Sequence, residues 1–149
     1  MSSLEVVQKY RRNVRDGKAQ ELREALFTLE EEVARLSGLE KSREMNSRNI
    51  AARQIEGTAS EALRQYYEYR EHLRFEIERQ NDTVTRALAA VEDRKRAVAE
   101  ATRDSKIMDT AVARREDERR RALSRAEQKM LDDVATNVYL GRMEDRRSG

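Results

Sequence analysis

Ile55-Glu56-Gly57-Thr58-Ala59-Ser60-Glu61 is the stretch that decides the fold, because it is the strongest turn signal in the chain. Gly57 can adopt a positive φ and end a helix. Thr58 or Ser60 can cap the next helix, and Glu61 stands at the position that completes a capping box with Thr58. The sequence therefore predicts one helix before this stretch and a second helix after it.

The segment before the turn carries apolar residues at the spacing of a coiled-coil seam. Steps of four and three residues connect Leu22, Leu26, Leu29, Val33 and Leu36. Leu4, Val7, Arg11 and Val14 follow the same spacing nearer the N-terminus. Gly17 and Gly38 lie inside the pattern, but a glycine within a helix costs only about 1 kcal/mol. We therefore predict a first helix over about residues 3–56, with a turn over about 57–60.

A second stripe follows the turn. It contains a strictly seven-spaced series, Val84, Val91, Val98, Ser105 and Val112, and Leu88 stands four residues after Val84. The segment between Gly57 and Gly141 has no glycine. We predict a second helix over about residues 61–140, ended by Gly141, and a short disordered tail over 141–149.

Two long amphipathic helices joined by a short turn predict an antiparallel hairpin. The expected fold is all-α, with residues 1–149 forming one elongated coiled-coil domain. Folding about Gly57 brings Leu4 near Thr110, so the longer second helix overhangs from about Arg114 onward. One continuous helix in a parallel dimer would keep the same apolar spacing and is the alternative.

The overhang retains apolar residues toward its end. These residues are Leu123, Met130, Leu131, Val134, Val138 and Leu140. A solvated helix end does not need such a set, so we predict that the tip inserts into a partner. The alternative is that the tip packs against the region of Leu4 and Val7.

The composition excludes several classes of protein. Charged residues make up 40% of the chain and aromatic residues 5%, the net charge is +2, and cysteine is absent. These values exclude a disulfide scaffold, a catalytic cysteine and a large globular core. The single histidine, His72, cannot build a multi-histidine metal site. With no glycine-rich phosphate loop either, we predict no enzymatic activity, no cofactor and no metal.

Membrane segments and disorder are also disfavoured. No apolar run reaches the roughly 18 residues of a spanning helix, and the N-terminus lacks the apolar region of a secretory signal. We therefore expect no direct membrane insertion. Full disorder is the rival reading at this charge density, but the net charge is small, proline is absent and the apolar residues are regularly spaced.

Two clusters have open interpretations. Tyr66, Tyr67 and Tyr69 either bind a partner or pack over the turn. The run Arg114–Arg121 is a weak candidate for nucleic-acid binding because acidic residues interrupt it. A salt-bridged helix surface is the preferred interpretation of that run, and we expect no nucleic-acid partner.

Several segments resemble the FliJ family, components of the flagellar type III export apparatus. They are Leu4-x-x-Val7, Tyr10-Arg11-Arg12, Leu26-x-x-Leu29-Glu30, Gly57-Thr58-Ala59-Ser60, Leu63-x-x-Tyr66-x-x-Tyr69-x-x-x-Leu73-x-x-x-Ile77, and Glu127-Gln128-Lys129-x-Leu131-Asp132-Asp133-Val134-Ala135. The resemblance implies an antiparallel two-helix coiled coil similar to the long helices of the rotary-ATPase γ subunit.

The resemblance also implies partners. The open end of a FliJ-like hairpin enters the central hole of the hexameric flagellar export ATPase and promotes ring assembly and activity. The corresponding residues here are Leu4, Val7, Arg11, Leu131, Val134, Val138, Tyr139, Leu140 and Arg142. A second partner is the cytoplasmic domain of the export-gate membrane protein, for which the matching positions are Tyr69 and Leu73.

Further implications concern the first helix and the location of the protein. The family often presents aromatic residues on the first helix near the turn, where this sequence has Ser42 and Asn46. Escort of export chaperones is another implied role. The implied location is cytoplasmic, peripheral at the cytoplasmic face of the inner membrane at the flagellar base.

Three alternatives remain beside the flagellar interpretation. The first is the equivalent stalk of a virulence-type type III secretion system, which would share the fold. The second is a generic structural coiled coil that dimerises through the overhang. A nucleic-acid binder, marked by steeply salt-dependent binding, is the third.

Overall fold

A computed structural model describes residues 2–57 and 60–148 of the chain. Within them the chain forms two α-helices, α1 (Ser3–Glu56) and α2 (Ser60–Ser148), and no β-strand. The two helices pack against each other in opposite directions, as the cross-helix pairs below establish. The predicted all-α helical hairpin is confirmed.

Local sequence explains where α1 begins and ends. At its start, Ser2 Oγ accepts a hydrogen bond from the Glu5 backbone N–H at 3.3 Å, and the Ser2 backbone nitrogen donates to Glu5 Oε2 at 3.3 Å. This reciprocal pair is a capping box. At its end, Gly57 has a φ of 69° and its N–H donates to the Gln54 carbonyl oxygen. Gly57 therefore takes the left-handed conformation expected of it.

The predicted cap of the second helix falls outside the described residues. Thr58 and the side chain of Ser60 belong to that undescribed part, so the proposed capping box with Glu61 stays a prediction.

The end of α2 differs from the sequence prediction. The helix continues through Gly141 to Ser148, where a stop and a disordered tail were expected. A glycine inside a helix costs only about 1 kcal/mol, and no proline follows to interrupt the helix. Arg146 and Arg147 in the last turn also interact favourably with the negative end of the helix dipole.

One compact unit spans residues 12–102, described over 12–57 and 60–102. Its buried apolar residues are Ile50, Leu73, Ile77, Val91 and Ala101. Polar side chains bridge its two helices: Gln80 Nε2 donates to the carbonyl oxygen of Glu32 at 2.9 Å and to its Oε2 at 2.6 Å. Asn46 Nδ2 donates to the carbonyl oxygen of Tyr66 at 3.1 Å.

The seam of this unit contains smaller and more polar residues than the sequence predicted. Leu22, Leu29 and Leu36 are half-buried, whereas Leu26 is 39% and Val33 47% exposed. The intervening interface positions belong to Ala25 and Glu32, each one residue earlier. Gln80 donates to Glu32 at one of these positions, and Leu26 and Val33 lie toward the flank.

The seven-spaced series of α2 lies in the interface. Val91 is 2% exposed, and Val84 and Val98 are half-buried. Leu88, however, is 50% exposed, and the half-buried residue between Val84 and Val91 is Ala87. The interface residues of α2 are therefore spaced by three and then four residues (Val84, Ala87, Val91). The same spacing occurs on α1.

Residues 1–11 and 103–149 form the second compact unit, here described over 2–11 and 103–148. Gln8 Nε2 donates to Asp109 Oδ1 at 2.8 Å, and Arg11 Nη1 lies 3.6 Å from Asp104 Oδ2. Leu4 lines a groove together with Val112, close to the expected neighbour Thr110. Ser105 is 1% exposed, and its Oγ has no hydrogen-bond partner among the described residues.

Candidate interaction surfaces

The C-terminal part of α2 is the largest exposed feature. Every residue from 118 to 148 is exposed, and we call this segment the overhang. Its exposed large apolar side chains are Leu123, Met130, Leu131, Val134, Val138, Tyr139, Leu140 and Met143. Polar side chains of the overhang pair within α2, as in Arg121 with Asp117 at 3.1 Å and Gln128 with Asp132 at 3.1 Å. An exposed apolar helix of this kind is suited to binding a partner.

The tip of the overhang combines apolar and basic side chains. Tyr139 and Met143 line one shallow groove with Arg142, Arg146 and Arg147. The expected tip residues Leu131, Val134, Val138 and Leu140 lie on the same helix and are between 50% and 64% exposed. The alternative in which this tip packs against Leu4 and Val7 does not occur among the described residues.

The predicted contact residues on α1 form a separate group. Leu4 is half-buried beside Val112, and Val7 is 39% exposed. Arg11 is engaged with Asp104, although both side chains remain 43% exposed. The predicted contact set is therefore two clusters, one at the start of α1 and one at the end of α2.

The tyrosines after the turn divide between packing and exposure. Tyr66 lies under the Arg53 guanidinium, 5.6 Å from the ring centroid. The Tyr67 hydroxyl accepts from Gln54 Nε2 at 2.6 Å, and the Arg70 guanidinium lies 4.8 Å from its ring centroid. Both rings are therefore held against α1 or their own helix, as in the packing interpretation.

Tyr69 has the exposure that a binding residue needs, and Leu73 does not. Tyr69 is 45% exposed and stacks on His72 with the ring centroids 6.3 Å apart. Leu73 is 2% exposed inside the helix interface, so the free chain does not present this predicted gate-contact residue to a partner. Leu73 falls on the buried stripe with Ile77, four residues along, whereas Tyr69 lies at its edge.

The positions that depart from the family pattern face the interface. Asn46 is 3% exposed and Ser42 is half-buried. Exposed aromatic side chains that the sequence analysis did not single out lie elsewhere, at Phe27 (63%) and Phe75 (58%). The sequence could have indicated their exposure, because neither residue follows the spacing of three and four residues that marks the seam.

The described residues offer neither a metal-binding cluster nor a membrane-spanning helix. They contain no group of three or more histidine, aspartate or glutamate side chains that could hold a metal ion. Over the same residues, no helix combines the length and apolarity needed to cross a bilayer.

Two long helices that pack against each other in opposite directions define an antiparallel α-helical coiled coil. Residues 1–144 match the family model described as Flagellar FliJ protein, and the chain belongs to this family. It is thus a coiled-coil protein associated with type III export, from a family of non-catalytic proteins.

A solved structure shares the fold. The putative YscO homologue CT670 from Chlamydia trachomatis is 21% identical, with a TM-score of 0.53. The similarity covers 96% of this chain and 97% of that one. No curated protein matches the sequence.

Proposed function

We propose that this chain is a non-enzymatic stalk of the flagellar export machinery. Its overhang inserts into the hexameric export ATPase and promotes assembly and activity of the ring. The observation that carries the proposal is the exposed apolar overhang, 118–148, in a member of the FliJ family. The cytoplasmic face of the inner membrane at the flagellar base is the corresponding location.

The chemistry of the overhang suits the interior of a protein ring. Leu131, Val134 and Val138 supply apolar area that is at least half exposed in the free chain. Arg142 supplies a cation for carboxylates of the ring, beside Tyr139. Aromatic and arginine side chains are the residue types enriched at the energetic centres of protein interfaces.

Linkage explains how a stalk without catalytic groups raises an ATPase rate. A ligand that binds the assembled ring better than free subunits stabilises the ring. A single asymmetric helix also contacts the six subunits unequally, so it shifts populations among their nucleotide states. Neither effect requires the stalk to touch the nucleotide.

The same proposal includes a second contact, with the cytoplasmic domain of the export gate. Tyr69 carries this part, because it is the exposed member of the two positions implied by the family resemblance. Escort of export chaperones is an additional role that the family implies and that we assign to no residue.

The test is the ATPase rate of the cognate flagellar export ATPase, titrated with wild type, Leu131→Asp and Tyr139→Asp. A buried carboxylate in the contact costs several kcal/mol, so both variants should lose stimulation. Met45→Asp is the matched control, since Met45 is 66% exposed outside both predicted contacts. Absence of both stimulation and association at micromolar protein would overturn the proposal.

The virulence-type stalk is a second candidate, favoured by the fold shared with the YscO homologue over nearly the whole chain. Stimulation of an injectisome ATPase, and none of the flagellar enzyme, would select it.

A further inference from the structure

We infer that a second copy of this chain covers the overhang when no other partner does, in an antiparallel pairing of the two α2 helices. This inference does not rest on the proposed function. Three observations carry it: the apolar face continues an existing helix interface, the charges at its two ends are self-complementary, and its length suits a dimer.

The apolar face of the overhang is aligned with the face of α2 that already packs on α1. Val112 lines a groove with Leu4 and is half-buried. Leu123 follows Val112 after 11 residues and Met130 after 18 residues, which are about three and five turns at 3.6 residues per turn. Val134 is about one further turn along. Leu123, Met130 and Val134 are 56%, 68% and 54% exposed, so beyond the start of α1 the same face continues without a covering helix.

Charge complementarity identifies the occupant and its direction. The acidic residues Glu116-Asp117-Glu118 lie at the start of the overhang and are followed by Arg119-Arg120-Arg121. Its far end has Glu144-Asp145 followed by Arg146-Arg147. At each end, acidic residues are therefore followed by basic residues along the chain. In a parallel pair, like charges would lie opposite like charges, which is destabilising.

An antiparallel pair brings opposite charges together at both ends. When Asp132 lies level with Asp132 of the second copy, Arg119 and Arg120 fall opposite its Asp145 and Glu144. Twofold symmetry repeats these pairs at the other end, whereas Asp117, Glu118, Arg146 and Arg147 lie roughly 100–160° around the helix from Met130 and do not face the second copy. Asp132 itself is two residues from Met130 and so points away from the apolar face, which keeps the two carboxylates apart at the axis.

The length of the segment matches a specific interface. Residues 118–148 are exposed throughout and extend over roughly 45 Å of helix at 1.5 Å per residue. Standard protein interfaces use about 20–30 residues from each side. The pairing is isologous, because the same patch is used by both copies, so it closes as a dimer and cannot grow into a filament.

The first experiment is analytical ultracentrifugation of the full chain from low to high micromolar concentration. We expect a reversible equilibrium between the 17.4 kDa monomer and the dimer. Met130→Asp should raise the dimer dissociation constant by about 100-fold or more, because it buries an unpaired carboxylate. Met143→Asp is the matched control: it makes the same substitution on the overhang, about 140° around the helix from Met130, and should leave the constant unchanged.

The second experiment tests the antiparallel register. One double variant carries Arg119→Glu and Arg120→Glu, and the other carries Glu144→Arg and Asp145→Arg. Each should dimerise about tenfold or more weakly than wild type, since like charges then meet at both ends. An equimolar mixture should regain association as a heterodimer, because each altered end meets its complement.

Three outcomes would overturn the inference. They are a wild-type chain that stays monomeric at every concentration, equal weakening by Met130→Asp and Met143→Asp, and failure of the mixed charge variants to associate. Circular dichroism of each variant establishes that α2 is still helical. The ATPase assay measures ring binding independently of dimerisation. A variant that no longer dimerises but still stimulates the ATPase therefore distinguishes this inference from the proposed function.

Discussion

The side-chain amide of Asn46 donates to the carbonyl oxygen of Tyr66 across the helix interface, at 3.1 Å. Asn46 is 3% exposed, so this polar group is buried where an apolar residue would be expected. A single buried asparagine at a coiled-coil interface fixes register at a cost in stability. The pair is therefore placed to fix the register of α1 against α2.

Asn46→Leu should separate register from stability. Leucine removes the buried amide and adds apolar contact, so we expect the free energy of unfolding to rise by about 1 kcal/mol. Cross-linking between one cysteine introduced on each helix should then detect shifted registers, and the cysteine-free sequence makes such pairs unambiguous. Asn49→Leu, at an exposed position, is the control. Unchanged cross-linking in Asn46→Leu would show that Asn46 does not set the register.

Ser105→Ala should stabilise the protein. Ser105 is 1% exposed and its hydroxyl has no hydrogen-bond partner among the described residues. A buried hydroxyl without a partner costs about 1–3 kcal/mol, and alanine is also the better helix former. Urea unfolding should show a midpoint shift equivalent to about 1 kcal/mol. A lower midpoint would mean that the hydroxyl does have a partner.

Two glycines should respond oppositely to alanine. Gly57 has a φ of 69°, and the left-handed conformation costs a non-glycine residue roughly 1–2 kcal/mol, so Gly57→Ala should lower the unfolding free energy. Gly38 lies inside α1 with nothing within 4 Å of an added Cβ. Gly38→Ala should raise stability by about 0.5–1 kcal/mol. Thermal unfolding followed by circular dichroism measures both, and shifts of equal sign would contradict the assigned turn.

Alanine substitutions of Tyr69 and Leu73 should have different effects, one on partner binding and the other on stability. Tyr69→Ala removes an exposed ring, so we expect roughly tenfold or greater loss of affinity for the cytoplasmic domain of the export gate, with a stability change within about 0.5 kcal/mol. Leu73→Ala leaves a cavity in the interface and should cost about 2–5 kcal/mol of stability. Binding titrations and denaturant curves on the same samples distinguish the two. Tyr69→Ala binding like wild type would remove Tyr69 from the gate contact.

Sequence was sufficient for the two helices and for the end of α1 at Gly57, but not for the end of α2, which continues through Gly141 to Ser148. The strict seven-residue spacing from Val84 to Val112 and the single break at Gly57 are local signals that tertiary packing did not override. The resemblance to the FliJ family rested on residues that alternate between seam and surface, and the family match over residues 1–144 confirms it.

The rotation of each helix was not available from the sequence. Two stripes share Leu22, Leu29 and Leu36. They differ at the intervening positions, which are Leu26 and Val33 in one stripe and Ala25 and Glu32 in the other. Hydrophobicity favours Leu26 and Val33, but Ala25 and Glu32 occupy the interface positions, and Glu32 accepts from Gln80 of the other helix. The buried Asn46 was missed for the same reason, since its acceptor is a backbone carbonyl on a helix distant in sequence.

The overhang also has a consequence for protein turnover. A single helix without tertiary contacts opens locally at low free-energy cost, and residues 118–148 contain several exposed arginines that trypsin-like proteases cleave. Any partner that covers the segment suppresses this opening and therefore its cleavage. We expect the lifetime of the chain in the cell to increase with occupancy of the overhang, so that the amount of stalk follows the amount of the partner that holds it.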